Sequence, residues 1–295
     1  MDTPVGPGAD PAGDAGAVVL RSGPVAAVVD PARGGMLRSV TIAGDELLVP
    51  PCDYAGPIPR HGSFVLAPWV GEMAHGRLPF RGRTVVLPPN VGPHAVHGLV
   101  LDAPWTVVDV AGDAVTLRRD LAAPWPFGGW VTQRFELDGG GLTQRVTVHA
   151  GSEAMPGAFG WHPWFRLPDG GASRVTVDAD HYLELRPDLL PTGKILPATG
   201  DLDLRGGREL DGRPLDMVLI GAGSPALLEL PSRTVEISFD AAIDIVTVFT
   251  EPGFVCVEPW TSWPDAAAWA ARGAATGLID LDAGGAVSRW MRWSW

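Results

Sequence analysis

Residues 130–150 read WVTQRFELDGGGLTQRVTVHA, two runs of alternating apolar and polar side chains separated by Asp-Gly-Gly-Gly at 138–141. A period of two sends successive side chains to opposite faces of a strand, and a glycine-rich break between two such runs signals a hairpin. The pattern recurs outward in both directions. PWTVVDV and AVTLRRD flank Ala-Gly-Asp at 111–113, and VVLRS (18–22) and VAAVVD (25–30) are split by Gly23-Pro24. TVEISFD and AIDIVTVFT, near 234–250, read as a further hairpin. MLRSVTIAG (36–44) and the closing AVSRWMRWSW alternate as well, the latter as a strand docked to a sheet. One segment, DAAAWAARG (265–273), reads as a helix, with Pro264 ahead of it and Gly273 as its stop. Many short strands with a single helix favour sheet-on-sheet packing. No fixed-period repeat suggests a propeller, and no linker divides the chain. The expected fold is all-β, one large antiparallel β-sandwich over residues 17–295, preceded by a disordered Gly, Pro, Ala and Asp tail over 1–16.

Hydrophobic residues make up 46% of the 295, enough for a large core, and the 38 Gly and 29 Pro suit tight turns between strands. The net charge of −12 repels phosphate backbones and anionic membrane surfaces, so neither nucleic acid nor a membrane is an expected partner. Cys52 and Cys256 are the only cysteines, too few for a disulfide framework, and both read as buried free thiols among apolar or strand-like neighbours. The first residues lack a basic region followed by an apolar run, and no stretch of about 18 apolar residues occurs, so a cytoplasmic location is expected.

Histidine is scarce, and two segments concentrate side chains suited to chemistry. His162 lies in FGWHPWFRL and Glu258 in VCVEPWTSWPDA. Aromatic rings stack on the apolar faces of sugars, an imidazole titrates near neutrality, and a carboxylate at the end of an apolar strand is costly unless paired or used. On local sequence alone each has a second reading: His162 as a core histidine among aromatics, Glu258 as a rim salt bridge. His94 and His97 in HAVH, together with Glu258, have weak metal-ligand spacing; the expected metal is none. No G-x-G-x-x-G after a strand, P-loop or G-x-S-x-G elbow occurs, so no nucleotide cofactor and no serine hydrolase chemistry is indicated.

Taken in order, six segments resemble the aldose 1-epimerase (galactose mutarotase) family: GGMLRSVTIAGDELL, GSFVLAPWVGEMAHGRLPFRGRTVVLP, HAVHGLV, GWHPWFRL, LLPTGKILPATGDLDLRGGRELDGRPLDMVL and VCVEPWTSWPDA. The resemblance implies a large antiparallel β-sandwich of the galactose mutarotase type that interconverts the α and β anomers of an aldose without metal or cofactor. It implies His162 as general acid, Glu258 as general base, and His97 and Asp216 as ligands of sugar hydroxyls. A monosaccharide is the implied partner, with the chain a monomer or homodimer. Glu258 is expected ionised and His162 protonated, each favouring the other's charged form. Trp69, Trp161, Trp164 and Trp260 are candidates for the apolar platform under the sugar.

The chain departs from the family pattern in one place. Where the family carries Asn-Arg, Pro68-Trp69-Val70 is followed by Gly71-Glu72. A carboxylate in place of a five-donor cation reverses both charge and hydrogen-bond polarity. Glu72 is therefore a candidate substrate-binding residue. Three alternatives follow: Arg77 or another arginine reaches in, the substrate differs, or catalysis is weakened; the competing reading is a carbohydrate-binding protein on the same fold, without turnover or of altered specificity. A hexose-6-phosphate epimerase needs an arginine cluster, against which Glu72 and the acidic charge count.

Overall fold

A computed structural model describes residues 16–52, 54, 56–168 and 170–295. The expected tail over 1–16 lies outside these except for Gly16.

The 130–150 stretch forms the hairpin Trp130–Asp138 and Gly141–His149, with Gly139-Gly140 as a two-residue turn. Gly140 N–H donates to Asp138 Oδ1 at 2.8 Å, which closes the turn locally. Around this hairpin grows a nine-stranded antiparallel sheet that includes Thr106–Ala111, Ala114–Asp120, Ala286–Ser294 and Arg233–Phe239. An eleven-stranded sheet packs against it. Its central strands run, in order, Ser63–Leu66, Gly160–Arg166, Phe254–Trp260, Ile245–Glu251, Leu215–Ile220 and His181–Leu185. The sandwich read from the alternation is the fold. The segment 265–273 supplies the single α-helix among the described residues, Ala266–Ala270. No helix among them is long and apolar enough to cross a membrane.

Strand parity divides the central strands into two faces. Trp161, Phe165, Val255, Val257, Val246 and Val248 point between the sheets and join Val131, Phe135, Val146, Met291 and Trp293 in one core. The alternate positions Phe64, Trp164, Val218, Cys256 and Trp260 form a second apolar cluster on the outer face. Apolar side chains on both faces explain why FVCVEPW lacks a clean alternation: it is a central strand covered on both sides.

Two expectations are corrected. TVEISFD and AIDIVTVFT do not pair. Arg233–Phe239 pairs with Ala226–Leu230 and Ala286–Ser294 in one sheet, while Ile245–Glu251 pairs with Phe254–Trp260 and Leu215–Ile220 in the other. Alternation specifies which face is buried and leaves the partner strand open, and residues 240–244 carry no tight Gly turn to force a hairpin. Cys52 is exposed and Cys256 alone is buried; both are free thiols. Cys52 follows Pro50-Pro51 and lies outside any strand, so its apolar neighbours enclose nothing.

Candidate functional site

Strand register assembles the site. Thr247 pairs with Glu258, Val218 with Thr247 and His162 with Phe64. The pairs Gly160–Trp260 and Trp164–Cys256 bracket His162 opposite Glu258. One row across five strands therefore reads Phe64, His162, Glu258, Thr247, Val218, on the face turned away from the second sheet. Asp216 follows two residues before Val218 on the same face.

The remaining groups come from loops. The short strand Glu72–Met73 pairs with Ala95–Val96 and sets Glu72 opposite Val96, beside His97. His97 sits at φ +63°, an uncommon conformation for a non-glycine residue, and two hydrogen bonds hold it there. Its N–H donates to the Gly71 carbonyl at 3.0 Å. Gly71 N–H donates to His97 Nδ1 at 3.2 Å, which assigns the ring proton to Nε2 as a donor. The next residue, Gly98, leaves no room for a side chain: a Cβ there meets the Ala67 carbonyl oxygen at 1.9 Å.

His162, Glu258, His97, Asp216 and Glu72 all line one open cavity of about 140 Å³, together with Thr247, Phe249, Trp260, Leu185 and Leu189. His162 Nδ1 lies 3.5 Å from Glu258 Oε1. His162 stacks on Trp164 with ring centroids 5.0 Å apart and planes 4° from parallel. His97 meets it edge-on at 5.3 Å. His162 Nδ1 and Glu258 Oε2 are buried without hydrogen-bond partners in the protein. Such atoms are costly to bury, and both belong to residues that line the cavity.

Burial governs the protonation of every group. It pushes Glu258 well above the usual carboxylate range, with Asp216 and Glu72 adding repulsion. It pushes Glu72 up to about 8, again aided by Asp216 and by Asp188. Asp216 rises for the same reason. It lowers His97 to about 3, and His162 falls well below the usual imidazole range, with His97 contributing. Burial thus works against the charged pair that the resemblance implies. Although His162 and Glu258 are close, desolvation favours the neutral carboxyl and neutral imidazole, because their attraction does not replace two lost hydration shells.

The structure corrects the platform. Trp260 lines the cavity. Trp164 supports His162 from beneath, Trp161 is fully buried in the sandwich core, and Trp69 stacks on Trp125 while its indole N–H donates to the Ala95 carbonyl. Arg77 is exposed, and no arginine or lysine is among the cavity-lining residues. The sequence reading missed Thr247, whose position was recoverable: Glu251-Pro252-Gly253-Phe254 is a two-residue turn, and counting back from it pairs 247 with 258. His94 lies aside, its Nε2 3.8 Å from Asp188 Oδ2. Donor atoms of His162, Cys256 and Glu258 lie within 4.8 Å of one another. Burial holds the Cys256 thiol well above its usual range, so its protonated form, a poor metal ligand, is favoured.

A sequence model of the family described as aldose 1-epimerase matches residues 17–292. The chain belongs to the aldose 1-epimerase family. Among curated family members it is 29% identical to the galactose mutarotase of Sus scrofa over 191 residues, 60% of this chain and 54% of that one. It is 33% identical to the galactose mutarotase of Rattus norvegicus over 152 residues, 47% and 44% of the two. This aldose 1-epimerase family member thus spans about half the length of the curated mutarotases it matches. A galactose mutarotase-like protein from Clostridium acetobutylicum superposes with a TM-score of 0.82 at 19% identity, over 94% of each chain. A GalM/aldose epimerase homologue from C. elegans does so with 0.81 at 17%, over 95% of this chain and 98% of that one. At these identities the solved structures share the fold of this family member.

Proposed function

We propose that this chain is an aldose 1-epimerase that interconverts the α and β anomers of a neutral monosaccharide. The observation carrying this reading is the buried pair His162 and Glu258, 3.5 Å apart, each with an unpartnered atom, in a cavity of about 140 Å³. That volume is below the ~300–1,000 Å³ of drug-sized sites, which suits one sugar ring rather than an oligomer.

Glu258 takes the proton of the sugar O1 hydroxyl while His162 delivers one to the ring oxygen. The C1–ring-oxygen bond breaks and an open-chain aldehyde forms. Rotation about the bond from C1 to C2 and reversal of both proton transfers close the ring on the other face. Ring opening leaves Glu258 as a neutral acid and His162 as a neutral base, the protonation state that burial favours. The cavity thus supports the open-chain stage, and a sugar's hydroxyl dipoles support the charged pair at the ring stage. His97 Nε2–H donates to a sugar oxygen, and Asp216 and Glu72 accept from sugar hydroxyls.

Anomer exchange of D-glucose and D-galactose by polarimetry and saturation-transfer NMR tests the reading. Glu258→Gln and His162→Asn are each expected to lower the exchange rate by roughly 10²–10⁴, the usual contribution of one acid–base group. A wild-type protein no faster than buffer on the aldoses tried overturns it. The carboxyl-lined cavity without an arginine favours a second reading, a carbohydrate-binding protein without turnover; sugar binding by calorimetry with no exchange is its signature.

A further inference from the structure

Four threonines among the described residues are buried: Thr247, Thr250, Thr261 and Thr276. The protein itself satisfies three of them. Thr250 Oγ1 accepts from Leu215 N–H at 2.7 Å, Thr261 Oγ1 from Phe159 N–H at 2.9 Å, and Thr276 Oγ1 donates to the Ala266 carbonyl at 3.2 Å. Thr247 Oγ1 has no partner, although the residue is only 4% exposed.

Its position is specific. Thr247 lines the same cavity as His162 and Glu258 and is the cross-strand partner of Glu258. Its other cross-strand neighbour, Val218, offers no hydrogen bond. Valine has nearly the same shape and suits a strand as well, so packing alone does not call for the hydroxyl. A buried hydroxyl without a partner destabilises the empty protein, and the residue that carries it lines the cavity.

We infer that Thr247 is a substrate-binding residue whose hydroxyl hydrogen-bonds the sugar oxygen next to Glu258, holding the O1 end of the ring against the base. This rests on the epimerase reading for its catalytic consequence and on the geometry of the cavity for binding.

Thr247→Val removes the hydroxyl at nearly constant volume. The expected result is a fall of at least tenfold in kcat/KM for anomer exchange of D-galactose and D-glucose. The melting temperature should be unchanged or raised, since an unsatisfied polar atom leaves the interior. Thr247→Ser should return kcat/KM to within a few-fold of wild type. A Thr247→Val protein with wild-type kcat/KM overturns the inference. So does one whose activity falls together with a drop of several degrees in melting temperature, the behaviour of a structural hydroxyl. Binding of both sugars by NMR titration separates this from the reaction assigned above. If the wild type binds sugar without exchanging anomers, the epimerase reading fails, yet Thr247→Val must still weaken Kd about tenfold. An unchanged Kd, or a wild type that binds neither sugar, overturns the assignment of Thr247.

Discussion

Replacing Glu72 by Gln isolates what one enclosed carboxyl does to the pH dependence of stability. Burial, with repulsion from Asp216 and Asp188, raises its pKa from 4.5 to about 8 in the folded protein. Between those values the folded chain holds a proton that the unfolded chain has released. Stability must then fall as pH rises through this window and level off above about 8. A shift from 4.5 to about 8, at ~1.36 kcal/mol per unit, sets a ceiling of about 5 kcal/mol. The cavity opens to solvent, which screens the charge, so about half of that, ~2–3 kcal/mol, is the expected loss. Glutamine keeps the shape and stays neutral. The melting temperature of Glu72→Gln should therefore gain on that of the wild type by roughly 5–10 °C between pH 5 and pH 8.5, at about 2–4 °C per kcal/mol for a large domain. Scanning calorimetry of both proteins at unit pH steps measures it, and contributions from His97, His162 and Glu258 common to both proteins cancel to first order in the difference. A difference that stays flat across the window, or a wild type that gains on the variant as pH rises, refutes the reasoning.

Three further outcomes are expected. His97, lowered to about 3, should keep its imidazole NMR shifts constant from pH 5 to 8; because its folded pKa lies below the unfolded value, the stability it contributes is lost as pH falls below about 6.5, and titration of its shifts near 6.5 refutes the buried neutral ring. Gly98→Ala, with φ at +85° and a Cβ 1.9 Å from the Ala67 carbonyl oxygen, should cost at least ~3 kcal/mol by denaturant melts and displace His97 from the cavity; a variant of wild-type stability refutes that packing. Aldose 6-phosphates and uronic acids should bind at least tenfold more weakly than the neutral sugars in a calorimetric titration, because an anionic group would lose its hydration in a cavity whose lining offers no cation to pair it; equal affinity counts against this reading.

Much of the fold is a local property of this chain. Alternation at 130–137 and 142–150, with glycine between, specifies two strands and their turn, since period and turn chemistry act within a few residues. The same logic fails at 234–250, where both strands are real but belong to different sheets, because partner choice depends on which core each strand completes. The site follows the same division. His162 and Glu258 stood out as polar groups in apolar, aromatic surroundings. Thr247 did not, because a threonine in a strand is ordinary until its hydroxyl is found buried and unpartnered.

By itself the sequence determined the residue types, the strand periodicity and the six ordered segments that carry the family resemblance. Only the tertiary structure decided that five residues from 72 to 258 share one cavity, that Trp161 faces the core while Trp164 lies under His162, and that burial works against the charged forms of His162 and Glu258. The reason is physical. Side-chain identity is local, whereas desolvation, strand register and the neighbours that set a proton's place depend on residues far apart in the chain and exist only once the sheets have packed.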